Sequence, residues 1–100
     1  MIQEEIIILN VLKYKKDDKS GCRLSFVYSD EDKFQVSDSY KGLTEISLFY
    51  KSDVFKKISP EIIFKPVIGT FEERKDFRNP LTTRLVLTKI ETENDEIDLL

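Results

Sequence analysis

Residues 5–29, "EIIILNVLKYKKDDKSGCRLSFVYS", decide the fold class. The first ten are rich in β-branched and apolar side chains. Both alternating sets are largely apolar: Ile6, Ile8, Leu12 and Tyr14 on one side, Ile7, Leu9 and Val11 on the other. That pattern predicts a long, strongly bent strand, buried on both sides for part of its length. "KKDDKSG" (15–21) predicts a polar turn, with Gly21 able to take a positive φ. "CRLSFVYS" (22–29) then alternates, with Cys22, Leu24, Phe26 and Tyr28 on one face and Arg23, Ser25 and Val27 on the other.

Working outward from this strand pair, "FQVSDSY" (34–40) puts Phe34, Val36 and Tyr40 on one face, and "EISLFYK" (45–51) puts Ile46, Leu48 and Tyr50 together. Lys41-Gly42 between them is a bulge or a turn, so the region is one broken strand or two. At Ser52 the period changes. "SDVFKKI" offers Ser52 as N-cap, Asp53 in the first turn and Val54, Phe55 and Ile58 at helical spacing, with Pro60 ending the helix after about two turns. "IIFKPVIGTFEER" (62–74) is a strand interrupted by Pro66 and Gly69, "KDFRNP" (75–80) a hairpin loop, and "TTRLVLTKI" (82–90) a last strand with Leu85 and Leu87 opposite Arg84, Val86 and Ile90. Phe26, Phe34, Phe55 and Phe64 read as core.

The order is β-β-β, short helix, β-β. It predicts a mainly β fold: a small five-stranded Greek-key barrel of the OB type, with its short helix between the third and fourth strands. An SH3-like barrel or an open sandwich has a similar order. Residues 1–90 form the predicted barrel domain and residues 91–100 a flexible acidic tail. The 100 residues suit one domain able to bury a core without staples.

The net charge of −3 is unevenly spread. Residues 91–100 hold five acids and no base, while residues 1–90 hold 16 bases against 14 acids. With no histidine, the usual general base near neutral pH and the commonest metal ligand are missing. One cysteine, Cys22, permits neither an internal disulfide nor a Cys/His zinc site, and on the core face it reads as a small buried hydrophobe. No phosphate-binding glycine loop occurs. No enzyme, cofactor or metal is expected. No targeting signal or membrane-length apolar run is visible, so a cytoplasmic location is the default expectation.

Aromatics interleaved with bases are what remains. Tyr14 lies among Lys13, Lys15 and Lys16, Tyr40 precedes Lys41, and Tyr50 precedes Lys51. The turn at 71–78 gathers Phe71, Arg74, Lys75, Phe77 and Arg78, and Arg23 faces away from the core set. Cations that follow phosphates and rings that stack on bases are the chemistry of single-stranded nucleic-acid binding. The candidate nucleic-acid contacts are therefore Tyr14, Lys15, Lys16, Arg23, Tyr40, Lys41, Tyr50, Phe71, Arg74, Lys75, Phe77 and Arg78.

The closing "ETENDEIDLL" resembles the acidic C-terminal tip of bacterial and phage single-stranded-DNA-binding proteins, whose OB domain is followed by a flexible acidic segment ending in hydrophobic residues. The body resembles, more loosely, the small OB-fold helix-destabilising proteins of phages and mobile elements. The resemblance implies a non-enzymatic protein that coats single-stranded DNA with little sequence preference, RNA being left open. It also implies a tail (Asp95, Glu96, Ile97, Asp98, Leu99 and Leu100) that recruits replication or recombination proteins and competes with DNA for the basic groove. A weakly charged body would lean on stacking, on homodimerisation or on cooperativity along the strand. The alternative is a small protein-interaction module, a phage adaptor or inhibitor, with no nucleic-acid partner.

Overall fold

The computed structural model describes residues 2–76 and 79–100, with the side chains of 76, 79 and 80 left aside. The chain is mainly β. Strands β1 (Ile2–Lys16), β2 (Lys19–Tyr28), β5 (Ile46–Tyr50), β6 (Pro66–Asp76), β7 (Asn79–Glu91) and β8 (Glu96–Asp98) form one antiparallel sheet in the order β5-β2-β1-β6-β7-β8. Strands β3 (Gln35–Val36) and β4 (Lys41–Gly42) make a separate two-stranded hairpin. A single helical turn, α1 (Val54–Lys57), joins β5 to a 3-10 turn at Pro60–Ile62 and then to β6. Val54 and Ile58 are buried, as the helical spacing predicts, whereas Ser52 is not the cap: Asp53 holds that position without a side-chain hydrogen bond.

The β1–β2 connection is tighter than its sequence suggests. Asp17 (φ 51°) and Asp18 (φ 64°) carry the positive φ values between paired Lys16 and Lys19. Two such residues are the signature of a two-residue type I′ hairpin turn. Gly21 is thus not a turn residue but lies within β2, paired with Tyr14. A bulge between Ile8 and Asn10 resets the faces of β1. Ile6 and Ile8 point inward, as does Val11 beyond the bulge, while Leu12 and Tyr14 turn outward. A second bulge, at Thr70/Phe71, slips one residue of β7 and puts Ile90 on the same buried side as Leu87.

The core is one cluster: Ile6, Ile8, Cys22, Leu24, Phe26, Tyr50, Val54, Ile58, Val67, Phe71, Leu87, Ile90 and Leu99. Gly69 lets strands meet closely, since a Cβ there would sit 2.7 Å from Leu87 Cδ1 and 3.1 Å from Ile6 Cδ1. Three of the four phenylalanines expected in the core are not there: Phe34, Phe55 and Phe64 are exposed, and Phe26 alone is buried. Phe34 borders the small outer hairpin, and Phe64 takes a φ of 68° while its N–H bonds Ile8 O at 2.8 Å.

The sheet curls strongly around this core. Four strand spacings of ~4.8 Å would hold β5 about 19 Å from β7 in a flat sheet. Tyr50 Oη on β5 nevertheless donates to Leu87 O on β7 at 2.6 Å. Among the described residues no ladder joins β5 to β7 or β8, so the curl is not closed by strand pairing. Burial first, and the neighbouring Cys22 second, push the Tyr50 phenol well above its ordinary pKa. The stability contributed by the protonated phenol is therefore full below about pH 10 and is lost as pH rises above that value. Tyr50→Phe should cost about 1 kcal/mol at neutral pH through the lost hydrogen bond. It should also flatten the loss of stability in urea melts between about pH 10 and 12. Equal alkaline slopes in the two proteins would remove Tyr50 from the titration.

The C-terminal residues correct the expectation of a flexible tail beyond a domain complete at residue 90. Glu96, Ile97 and Asp98 pair with Glu91, Ile90 and Lys89, and Leu99, 3% exposed, enters the core. Its N–H bonds Thr88 O at 3.0 Å. A tight turn precedes the strand, with Thr92 N–H bonding Asp95 O and the Thr92 hydroxyl accepting from Asp95 N–H. Lys89 bridges Glu91 and Glu96, and Lys57 Nζ donates to Asp98 O at 2.9 Å. The physical reason is period-two alternation: Ile97 and Leu99 face inward, and the acids of this segment face water.

Candidate nucleic-acid interface

The outer face of β5-β2-β1 carries the chemistry. The register puts Leu12, Arg23 and Phe49 in one row across three strands, with Tyr14 one row further toward the hairpin end. Outward exposure follows from the pleat: the alternate residues Leu48 and Tyr50 face the core, so Phe49 cannot. Phe49 is 67% exposed and Tyr14 37%. Their ring centroids lie 6.1 Å apart at 82°, an edge-to-face pair. Gly21 makes room for it, since a Cβ at that position would lie 2.7 Å from the Tyr14 hydroxyl oxygen. The Tyr14 ring thus lies across bare backbone.

Cations lie on both sides of this hairpin: Lys16 and its partner Lys19 share the outer face with Tyr14, while Lys13 and Lys15 alternate to the other side. Lys13, Lys15, Lys16 and Lys19 are exposed on the hairpin, and Lys51 is exposed just after β5. Among the described residues the ion pairs involve Arg74 and Lys89 only, which leaves these five lysines and Arg23 without acidic partners. Arg23 is half-buried between Leu12 and Phe49, and its buried Nε has no hydrogen-bond partner among the described residues. Ser25 and Ser47, the next row, share a hydrogen bond at 3.0 Å. The result is a ring-bearing surface with Lys16 and Lys19 at its hairpin end, flanking the exposed Asp17 and Asp18 of the turn, and with polar hydroxyls behind it.

Of the predicted contacts, the structure puts Tyr14, Lys16 and Arg23 on this face, while Lys15 alternates to the other side of β1. Tyr40 and Lys41 lie on the separate β3–β4 hairpin, where the Tyr40 hydroxyl donates to Leu43 O. Arg74 and Lys75 are exposed on the β6–β7 arm, Arg74 being paired with Glu72 at 3.1 Å. Phe77 and Arg78 fall outside the described residues. Two expectations are overturned by burial. Tyr50 is a core residue, and Phe71 is 2% exposed, its ring 5.8 Å from Phe26 and 5.7 Å from Tyr28. Val67, Gly69 and Phe71 are alternate residues on the inward face of β6, so a ring at 71 must pack inside.

Phe49 was the residue missed, although its signal was present: it is the odd member of an alternation whose even members are apolar. In the tail, Asp95, Glu96 and Asp98 are exposed, Ile97 is half-buried, Leu99 is buried and Leu100 is exposed. Cys22 packs in the core and its Sγ donates to Lys51 O at 3.4 Å; burial raises its pKa, which disfavours the reactive thiolate. Among the described residues no group of three metal-type ligands occurs, and no helix is long and apolar enough to cross a membrane.

Fold and surface together define a mainly β protein with an aromatic and cationic patch on the outside of a curled antiparallel sheet. No protein-family model, curated protein or solved structure matches the chain.

Proposed function

We propose that this chain is a non-enzymatic single-stranded-DNA-binding protein on an OB-type plan. The observation that carries the proposal is the exposed Tyr14–Phe49 pair beside Arg23, with Lys16 and Lys19 on the same face and Lys51 just beyond β5, all without acidic partners among the described residues. Rings of this kind stack on bases without regard to sequence, and the lysines follow the phosphates. Strand order supports the OB-type plan: the first strand pairs with the second and with the strand after the helix, and the helix follows the third sheet strand. Buried Leu99 is unavailable to a partner, so recruitment through the tail is not part of the proposal.

Fluorescence anisotropy with oligo-dT, oligo-rU and duplex DNA at two salt concentrations tests it. Oligo-dT should bind in preference to duplex. Its log–log salt slope should be about −0.7 for each phosphate contacted. Failure to bind oligo-dT even at low salt would end the proposal, and tighter binding of oligo-rU would reassign the strand.

A second reading has one observation in its favour. Phe64 is 76% exposed and held at a left-handed φ that costs a non-glycine residue roughly 1–2 kcal/mol. An exposed ring kept in a costly conformation suits a protein-contact surface, the role of an interaction module. Loss of partner capture in Phe64→Ala, with oligo-dT ignored throughout, would favour that reading.

A further inference from the structure

A cavity of about 390 Å³ opens beside the ring pair, lined by Ser20, Phe49, Tyr50, Lys51, Leu99 and Leu100. Phe49 belongs to both features, forming one wall of the cavity and the edge-to-face partner of Tyr14. The end of the docked tail, Leu99 and Leu100, lines it as well. Leu99 is anchored in the core and by its bond to Thr88 O, and Lys57 holds Asp98 O, so Leu100 is presented at a defined place with its side chain 64% exposed. No acidic side chain lines the cavity, while Lys51 and the Ser20 hydroxyl do.

We propose that this cavity takes one base of a bound single strand, inserted between the Phe49 ring and the Leu100 side chain, with the adjoining phosphate toward Lys51. This rests on the single-strand reading above. It makes Leu99-Leu100 a wall of the nucleic-acid site, with Leu99 as the anchor and Leu100 as the contact. Three features select this occupant. The volume falls at the lower end of the roughly 300–1,000 Å³ of small-ligand sites, the size for a single nucleotide unit and not for a folded partner. The walls are a flat ring and an aliphatic side chain, which suit both faces of a planar base. A cation is at hand, since Lys51 lines the cavity and is exposed without an acidic partner among the described residues.

The test is a titration of the intact, methyl-labelled protein with oligo-dT, followed by anisotropy and by NMR of the Leu100 methyl groups. Stacking should shift those methyls with the same midpoint as the anisotropy. Leu100→Ala should weaken oligo-dT binding about fivefold, the low end of what one stacked base contributes. Leu100→Asp should weaken it further, and both variants should keep the wild-type melting temperature because the side chain is exposed. Phe64→Ala, outside the patch and the cavity, should leave affinity unchanged. If oligo-dT binds and the Phe49 ring signals move while Leu100 stays still and Leu100→Ala binds normally, the inserted base is refuted and the surface platform stands. If neither moves and no complex forms, the single-strand reading falls with it.

Discussion

Leu99→Ala should lower the stability of the protein by about 3 kcal/mol, within the ~2–5 kcal/mol that truncating a buried leucine costs. The side chain is 3% exposed, in a cluster with Tyr50, Leu87 and Ile90, and it fills the seam where the curled sheet has no ladder. For a domain of this size, whose whole stability is about 5–15 kcal/mol, the loss is large. Deleting residues 96–100 also removes the Ile90–Ile97 pairing and the Lys89–Glu96 contact, and should leave the chain largely unfolded at 37 °C. Urea melts with the midpoint and slope read separately decide the matter. Leu100→Ala is the matched control, expected within about 0.5 kcal/mol of wild type because its side chain is exposed. A truncated protein that melts like the full chain would restore the flexible tail.

Tyr14→Ala and Phe49→Ala should each weaken oligo-dT binding by about 1–3 kcal/mol, roughly 5- to 150-fold. The two rings touch, so their effects should not add, and the double variant should lose less than the sum. Phe49→Ala should barely change stability, because its ring lies on the solvent face. Phe71→Ala should do the opposite: a cost of about 3–5 kcal/mol in stability, with affinity preserved in whatever fraction stays folded. The contrast separates a binding ring from a packing ring within one measurement pair, anisotropy and melting. Wild-type affinity in Phe49→Ala would take the outer face out of the interface.

The strand pair at the front of the chain, the inward face of β2 and the position of the helix were legible in the sequence, because each rests on local periodicity. Cys22, Leu24 and Phe26 alternate without interruption and are all buried, and Val54 and Ile58 lie on one side of a short turn. Phe49 was legible by the same rule, as the outward neighbour of Tyr50. The faces of β1 beyond Ile8 were not, because a bulge inserts one residue and reverses every later side chain. That reversal sends Tyr14 outward to meet Phe49, a contact between residues 35 apart in sequence.

The tail is the clearest case of a feature decided elsewhere. "EIDLL" has strand alternation and also the acid density of a disordered end, and nothing within those residues chooses between the two. The choice lies with β7, whose open edge supplies the hydrogen bonds, and with the seam beside Tyr50 and Leu87, whose vacancy a leucine fits. By itself the sequence determined which segments are extended and which faces are apolar. Tertiary structure decided which edge meets which strand and where the last leucines go, because a three-residue strand has too few hydrogen bonds to hold itself and forms only on an edge that is already built.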